Sequence, residues 1–241
     1  QKRALVSRLL QRTACVHVSG LNFADVEIGH TKGRKPYFAN RPADDALPNW
    51  NYNVSHEGSF VVLAAEPCLL CGIDVAAPGQ LRRGPDRSFG ELLETMRDSF
   101  TPREFATVRG AGSEKQMADT FRKLWSLKEA FTKARGAGLG CEFGRCEFEL
   151  TGRLADGVEG ASVSVDAAKQ AAFAFFIQPM HGNHWVSVAR GPVCAAVDVH
   201  GGFRSTFCEP DFTDAAHLHR REPAFELRQV HELMPATVPE A

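Results

Sequence analysis

Apolar and polar positions along this chain switch repeatedly between helical and strand periodicity. Lys2–Val16 places Leu5, Val6, Leu9, Leu10 and Ala14 on one stripe of an amphipathic helix. Val26–Ile28 predicts a short strand, Lys32–Pro36 a basic turn, and Asn40–Asn51 a loop rich in Pro, Asn and Asp. Strand-like runs follow at Trp50–Ser55, Phe60–Ala65 and Leu69–Ala76, and the break at Glu57-Gly58 predicts a hairpin between the first two. Ala77–Arg87 reads as a Pro/Gly/Arg loop. Phe89–Arg97 looks helical. Thr101-Pro102-Arg103-Glu104 is a helix start, with Thr101 as N-cap, Pro102 in the first turn and Glu104 at the third position. Phe100 and Phe105 are spaced for a hydrophobic staple. A long helix is expected from about Glu114 to Arg135, ended by Gly136, Gly138 and Gly140. Strands are expected at Cys146–Thr151, Ala161–Asp166, Ala171–Gln178 and His184–Arg190. Residues 191–241 show no clear periodicity and predict a weakly structured tail, with one helix near Ala224–Leu233. The order helix, strands, helices, strands is that of an α+β protein.

Composition narrows the class. With 241 residues, 44% of them hydrophobic, the chain can bury a substantial core. A formal net charge of −1 gives no global field for nucleic acid or a membrane surface. The longest apolar stretch, Ala171–Ile177, is strand-sized, far short of a membrane span. Seven cysteines at irregular spacing suggest a reducing compartment and not a disulfide framework. Cys68 and Cys71 form a CxxC, but Leu69 and Leu70 fill the gap, and Cys141 and Cys146 supply no second one. Buried thiols are the expected account, ahead of a zinc site.

Three segments could carry chemistry. In Gly72-Ile73-Asp74-Val75 an aspartate interrupts an apolar run, where burial is costly without a partner or a metal. In Phe121–Arg135, Trp125, Glu129 and Lys133 are four residues apart and share a helix face. In Asn53-Val54-Ser55-His56, a hydroxyl and an imidazole at a strand end could meet a phosphate. Each has a plainer reading alone: a strand-end aspartate, a solvated Glu–Lys pair, a polar turn.

Taken in order, the segments are more specific. Lys35-Pro36, Asn53–His56, Gly72–Val75 and Trp125–Lys133 followed by a glycine-rich turn resemble the ordered motifs of the 4'-phosphopantetheinyl transferases, over about residues 1–190. The resemblance is to the broad-specificity, pseudo-dimeric type, and it is closest to its animal and plant cytosolic members. It implies two similar α/β halves forming an intramolecular pseudo-dimer, residues 1–67 and 68–190, with coenzyme A in the cleft between them and a tail at 191–241. It implies magnesium (Mg2+) bound by Asp74 and Glu129. Glu129 would also help deprotonate the acceptor serine, and Lys133 would neutralise the pyrophosphate. Ser55 and His56, within Asn53–His56, would contact the 3'-phosphate. Gly33, Arg34, Lys35, Pro36, Tyr37 and Phe38 would line the adenine and ribose. The implied reaction moves the phosphopantetheine of coenzyme A onto a serine of an apo acyl or peptidyl carrier protein and releases 3',5'-ADP. The expected enzyme is a cytosolic monomer with no nucleic-acid or membrane partner.

The sequence departs from the family pattern twice. Ala76 stands where many members have a third acidic ligand, so a water is expected to complete the magnesium shell. The family's N-terminal strand and a basic residue used for coenzyme A normally precede the first helix, so the chain is expected to be truncated at its start. Two other readings remain: a catalytically impaired coenzyme A-binding module, and a metal-dependent phosphohydrolase using Asp74 and Glu129.

Overall fold

The computed structural model describes residues 2–42, 44–79, 88–138, 142–154 and 157–234. Gly140, Cys141 and most of the expected 77–87 loop lie outside the described residues. Helix α1 (Lys2–Ser19) opens the chain. It buries Ser7, Gln11 and Cys15, not the expected apolar stripe, and Leu5 is 60% exposed. The buried face is polar because it meets a tyrosine: the Tyr52 hydroxyl donates to Gln11 Oε1 at 3.2 Å. Strands β1 (Ile28–His30) and β2 (Pro36–Phe38) form a small antiparallel hairpin. The basic turn between them carries Arg34 at φ 66°, and its Thr31 N–H donates to the Lys35 carbonyl. The second strand of this pair was not expected from the sequence.

Strands β3 (Asn51–Glu57) and β4 (Phe60–Glu66) make the predicted hairpin, turning at Gly58 with φ 54°. Strand β5 (Leu70–Ala76), buried throughout, does not join that hairpin in one sheet. It forms an edge of the main sheet, beyond the capped helices that follow. Those are α2 (Phe89–Thr95), α3 (Pro102–Arg109) and α4 (Glu114–Arg135). Each starts with a capping box, on Ser88, Thr101 and Ser113 respectively, and α4 ends at Gly136 with φ 73°. The expected Thr101 start is therefore seen, and Phe100 and Phe105 are both buried in the main core. The remaining strands are β6 (Cys146–Arg153), β7 (Glu159–Val165), β8 (Ala168–Lys169), β9 (Ala174–Met180) and β10 (His184–Gly191). The sheet runs β5-β10-β9-β7-β6, all antiparallel, with β8 on β7. The protein is thus a mixed α/β structure, and α4 packs Phe121, Leu124, Leu127, Phe131 and Ala134 into its core.

The hairpin β3–β4 is joined to the edge of β5 by side chains instead of by backbone pairing. The carbonyl oxygens of Asn51 and Asn53 accept from the N–H groups of Cys71 (2.9 Å) and Ile73 (3.1 Å). Ser55 Oγ accepts from Val75 N–H at 3.5 Å, and Glu57 Oε2 from Ala77 N–H at 3.2 Å. Asn51 also donates to the Leu69 carbonyl at 2.6 Å. Alternate residues of β3 thus serve alternate amides of β5, always 20 positions apart.

After β10 the chain has little regular structure among described residues 191–234, but it is packed. Phe203 is fully buried with Leu70, Val193, Ala196 and Phe207. The short helix α5 (Ala215–Leu218) covers Leu69, Val158, Ala174 and Phe176 through Leu218. The helix expected near Ala224–Leu233 is only a 3-10 turn at Val230–Leu233. Among the described residues six cysteines are free: Cys15, Cys68, Cys71 and Cys146 are buried, Cys194 and Cys208 exposed. No helix among the described residues is long and apolar enough to cross a membrane.

One buried ion pair fixes α3 against α4 and β6. Lys128 Nζ lies 2.8 Å from Glu104 Oε2, with both side chains fully buried. Lys128 also donates to the carbonyls of Phe143 and Cys146, and Glu104 accepts from Thr101 and Phe148 N–H groups. Lys128→Met leaves Glu104 buried without its counter-charge and is expected to cost about 3–5 kcal/mol of unfolding free energy. In urea titrations, Lys128→Met combined with Glu104→Gln should recover much of that loss. A double variant as unstable as the sum of both single variants would mean that the pair is not coupled.

Candidate active site

The site is assembled where α4 crosses β5. Gly72 makes that crossing possible: a Cβ there would stand 2.1 Å from the Ala130 carbonyl oxygen and 2.4 Å from Ala134 N. Gly72, Asp74 and Ala76 share one face of β5, while Ile73 and Val75 pack on the other with Val62, Val186 and Val188. Asp74 therefore points toward α4, and Lys133 Nζ lies 2.5 Å from its Oδ1. Ser55, reaching in from β3, donates to the same oxygen at 2.8 Å and accepts from Lys133 Nζ at 2.9 Å. Three motifs read as separate segments in the sequence thus meet at one carboxylate.

The second oxygen of Asp74 is the informative atom. Oδ2 is buried and has no hydrogen-bond partner among the described residues. A buried carboxylate oxygen left unpaired is costly, so this atom fits a cation beside it; Asp74 lies behind the cleft lining and meets it through Lys133. Glu129 and Lys133 both line that cleft, as does Trp125, so the helix face with four-residue spacing is brought together as expected. Among the described residues, no group of three or more His, Cys, Asp or Glu side chains is arranged to hold a metal. A pair of carboxylates completed by substrate phosphates and water is a donor set that suits magnesium.

Sequence reasoning missed Glu57, the last rung of the β3 ladder. Burial pushes its carboxyl up to about 7, the Ala77 N–H that it accepts opposes this, and neighbouring Asp74 raises it further. Its hydrogen bond to Ala77 puts a carboxylate beside the fully buried Ala76, where only a water was expected. The signal was available: residues 53, 55 and 57 share a strand face.

The cleft encloses about 1460 Å³, more than a compact drug-sized ligand needs. Gly33, Arg34, Lys35 and Pro36 line it, with Asn53 and Val54. The glycine turn after α4 lets this wall close up, since a Cβ on Gly33 would lie 2.1 Å from the Gly136 carbonyl oxygen. Other site candidates sit elsewhere. Tyr37 and Phe38 do not line the cleft: Tyr37 packs on Phe203 and Phe38 on Trp50. The Lys35 ammonium is turned inward to the carbonyls of Cys71 (2.6 Å) and Tyr52 (3.4 Å). Burial lowers its pKa to about 8. His56 is exposed at the rim of β3, and Ser55 lies beneath the surface on Asp74.

Two family models cover most of the chain: the 4'-phosphopantetheinyl transferase N-terminal model matches residues 1–68, and the 4'-phosphopantetheinyl transferase superfamily model matches residues 70–189. The chain belongs to the 4'-phosphopantetheinyl transferase superfamily. It is 34% identical over 191 residues to the L-aminoadipate-semialdehyde dehydrogenase-phosphopantetheinyl transferase of Pongo abelii, and 33% to that of Homo sapiens. Each of these matches takes in 78% of this chain and 60% of the relative. A Thraustochytrium phosphopantetheinyl transferase is 35% identical over 192 residues, covering 78% of this chain and 63% of that one. The chain therefore spans about three-fifths of the length of these relatives.

Gly72→Ala tests the crossing. A methyl group pressed against the α4 backbone is expected to lower the unfolding free energy by about 1–3 kcal/mol. Urea unfolding of the purified variant measures this. Unchanged stability would mean that α4 does not lie against β5 at this point.

Proposed function

We propose that this protein is a magnesium-dependent 4'-phosphopantetheinyl transferase, a holo-[acyl-carrier-protein] synthase that loads apo carrier proteins from coenzyme A. The observation that carries this reading is the unpaired, buried Oδ2 of Asp74, held beside Lys133 and Ser55 at a cleft that Glu129 lines. Family membership supplies the reaction; the geometry supplies residues suited to it.

In this reading the hydroxyl of the carrier serine attacks the β-phosphorus of coenzyme A. The new phosphoester bond forms as the pyrophosphate bond breaks, and 3',5'-ADP leaves. A hydroxyl is a weak nucleophile at neutral pH, so its proton needs an acceptor, and Glu129 takes it. Asp74 and Glu129 would hold magnesium, with Glu57 adjacent, and the ion supplies positive charge against the reacting pyrophosphate. Lys133, partly exposed beside Asp74, adds a second cation to that charge. Lys32 and Arg34 on the cleft wall suit the remaining phosphate charge. The Asn53–His56 strand is the proposed 3'-phosphate contact, supported by Asn53 and Val54 in the lining and by the exposure of His56 on the same strand. Lys35, with its ammonium committed to the protein, holds the turn in place and is not a charge for the ligand.

We read the fold as a pseudo-dimer of residues 1–67 and 68–190. The change of sheet between β4 and β5 and the junction of the two family models at residues 68–70 support that division. A monomer working in the cytosol is part of the same proposal.

Incubation with coenzyme A, Mg2+ and an apo acyl carrier protein, followed by intact-mass measurement of the carrier, tests the assignment. Wild-type protein should add phosphopantetheine. Glu129→Gln should fold normally and slow transfer on the order of 10²–10⁴-fold. Binding of coenzyme A without transfer would favour an impaired binding module. Cleavage of coenzyme A without a carrier adduct would favour a hydrolase.

A further inference from the structure

The superfamily model ends at residue 189, but the cleft does not. Val197 and Val199, from the irregular segment after β10, stand in its lining. They are 38% and 66% exposed. Val197 N–H donates to the Arg135 carbonyl at 2.7 Å, tying the segment to the end of α4. The Asp198 carboxylate accepts from the N–H groups of Phe203 (2.7 Å) and Arg204 (2.9 Å), closing a tight loop. Phe203 is fully buried, its ring 5.7 Å from that of Tyr37, and Lys35 Nζ lies 5.5 Å from its centre. The loop is therefore seated on the same β1–β2 turn that presents Gly33 and Arg34 to the cleft.

An apolar pair in this place needs a ligand part with an apolar face. The nearby lining offers glycine backbone and the cations Lys32 and Arg34. A Cβ on Gly136 would meet the Val197 carbonyl oxygen at 3.4 Å and Lys35 Cδ at 3.5 Å, so Val197 adjoins this turn and not some remote part of the cleft. Flat apolar surface next to phosphate-binding cations describes a nucleotide whose base carries no charge. We propose that Val197 and Val199 form the apolar wall against which the adenine of coenzyme A packs, so that a segment outside the family core determines affinity for the nucleotide end of the substrate. This rests on the transferase reading above. The valines touch a part of coenzyme A that does not react, so their contribution is uniform binding.

Calorimetry with 3',5'-ADP, which carries the adenine but not the pantetheine arm, tests the wall directly. Val199 is open enough that its replacement leaves the core intact. Val199→Ser, which adds no charge, should weaken 3',5'-ADP about tenfold, the scale of one lost apolar contact, and Val199→Asp should weaken it further because its carboxylate also repels the phosphates. Val197→Ala should weaken it less than Val199→Ser, and Val199→Phe should bind at least as tightly as wild type. In the transfer assay Val199→Ser should raise KM for coenzyme A and leave kcat unchanged. Equal 3',5'-ADP affinity in wild type, Val199→Ser and Val197→Ala would overturn the proposal, as would a fall in kcat at constant KM. Wild-type protein that binds neither coenzyme A nor 3',5'-ADP would instead sink the transferase reading, and the wall with it.

Discussion

The structure depends on how one sheet edge is covered. Strand β5 ends the main sheet, and the amides of Cys71, Ile73, Val75 and Ala77 point away from β10. An uncovered edge of this kind invites foreign strands and leaves polar groups without partners when buried. Here the side chains of Asn51, Asn53, Ser55 and Glu57 take the place of a neighbouring backbone. Lys35 completes the set by donating to the Cys71 carbonyl. Because side chains span the gap, the two strands stand farther apart than paired strands do. The ladder's last two rungs are also residues of the site: Ser55 holds Asp74, and Glu57 stands beside Ala76.

Helix α4 is the second constraint, and its two lysines show how one helix divides its labour. Lys128 and Lys133 are five residues apart, which turns them about 140° from each other around the axis. Lys128 is fully buried on Glu104 and holds α3 and β6 in place. Lys133 faces the cleft on Asp74. The Lys128-Glu129 step within the motif thus joins a packing residue to a cleft residue. Neither role survives unless Gly72 lets the helix approach β5.

The regular elements were legible because local chemistry dictates them. The α3 and α4 boundaries follow from Thr101, the α4 periodicity and Gly136, and the hairpin follows from Glu57-Gly58 between apolar runs. The site was legible as separate motifs. Their meeting at Asp74 is a tertiary fact, since Ser55 and Lys133 are 78 residues apart. Three things stayed hidden for identifiable reasons. The stripe of α1 was misread because its buried face serves a tyrosine hydroxyl, so polarity there does not mean exposure. The inward turn of the Lys35 ammonium was not visible because a buried lysine bonded to carbonyls has no local signature. The tail showed no periodicity because it packs through single anchors such as Phe203 and Leu218.

Amide hydrogen exchange along β5 tests the central claim most directly. If side chains of β3 truly satisfy this edge, the amides of Cys71 and Ile73 should exchange as slowly as those of Gly72 and Asp74, which face β10. Replacing Asn53 with Ala should speed exchange at Ile73 while leaving Gly72 slow. Fast exchange at Cys71 and Ile73 in the wild-type protein, at rates typical of an open edge strand, would contradict the account.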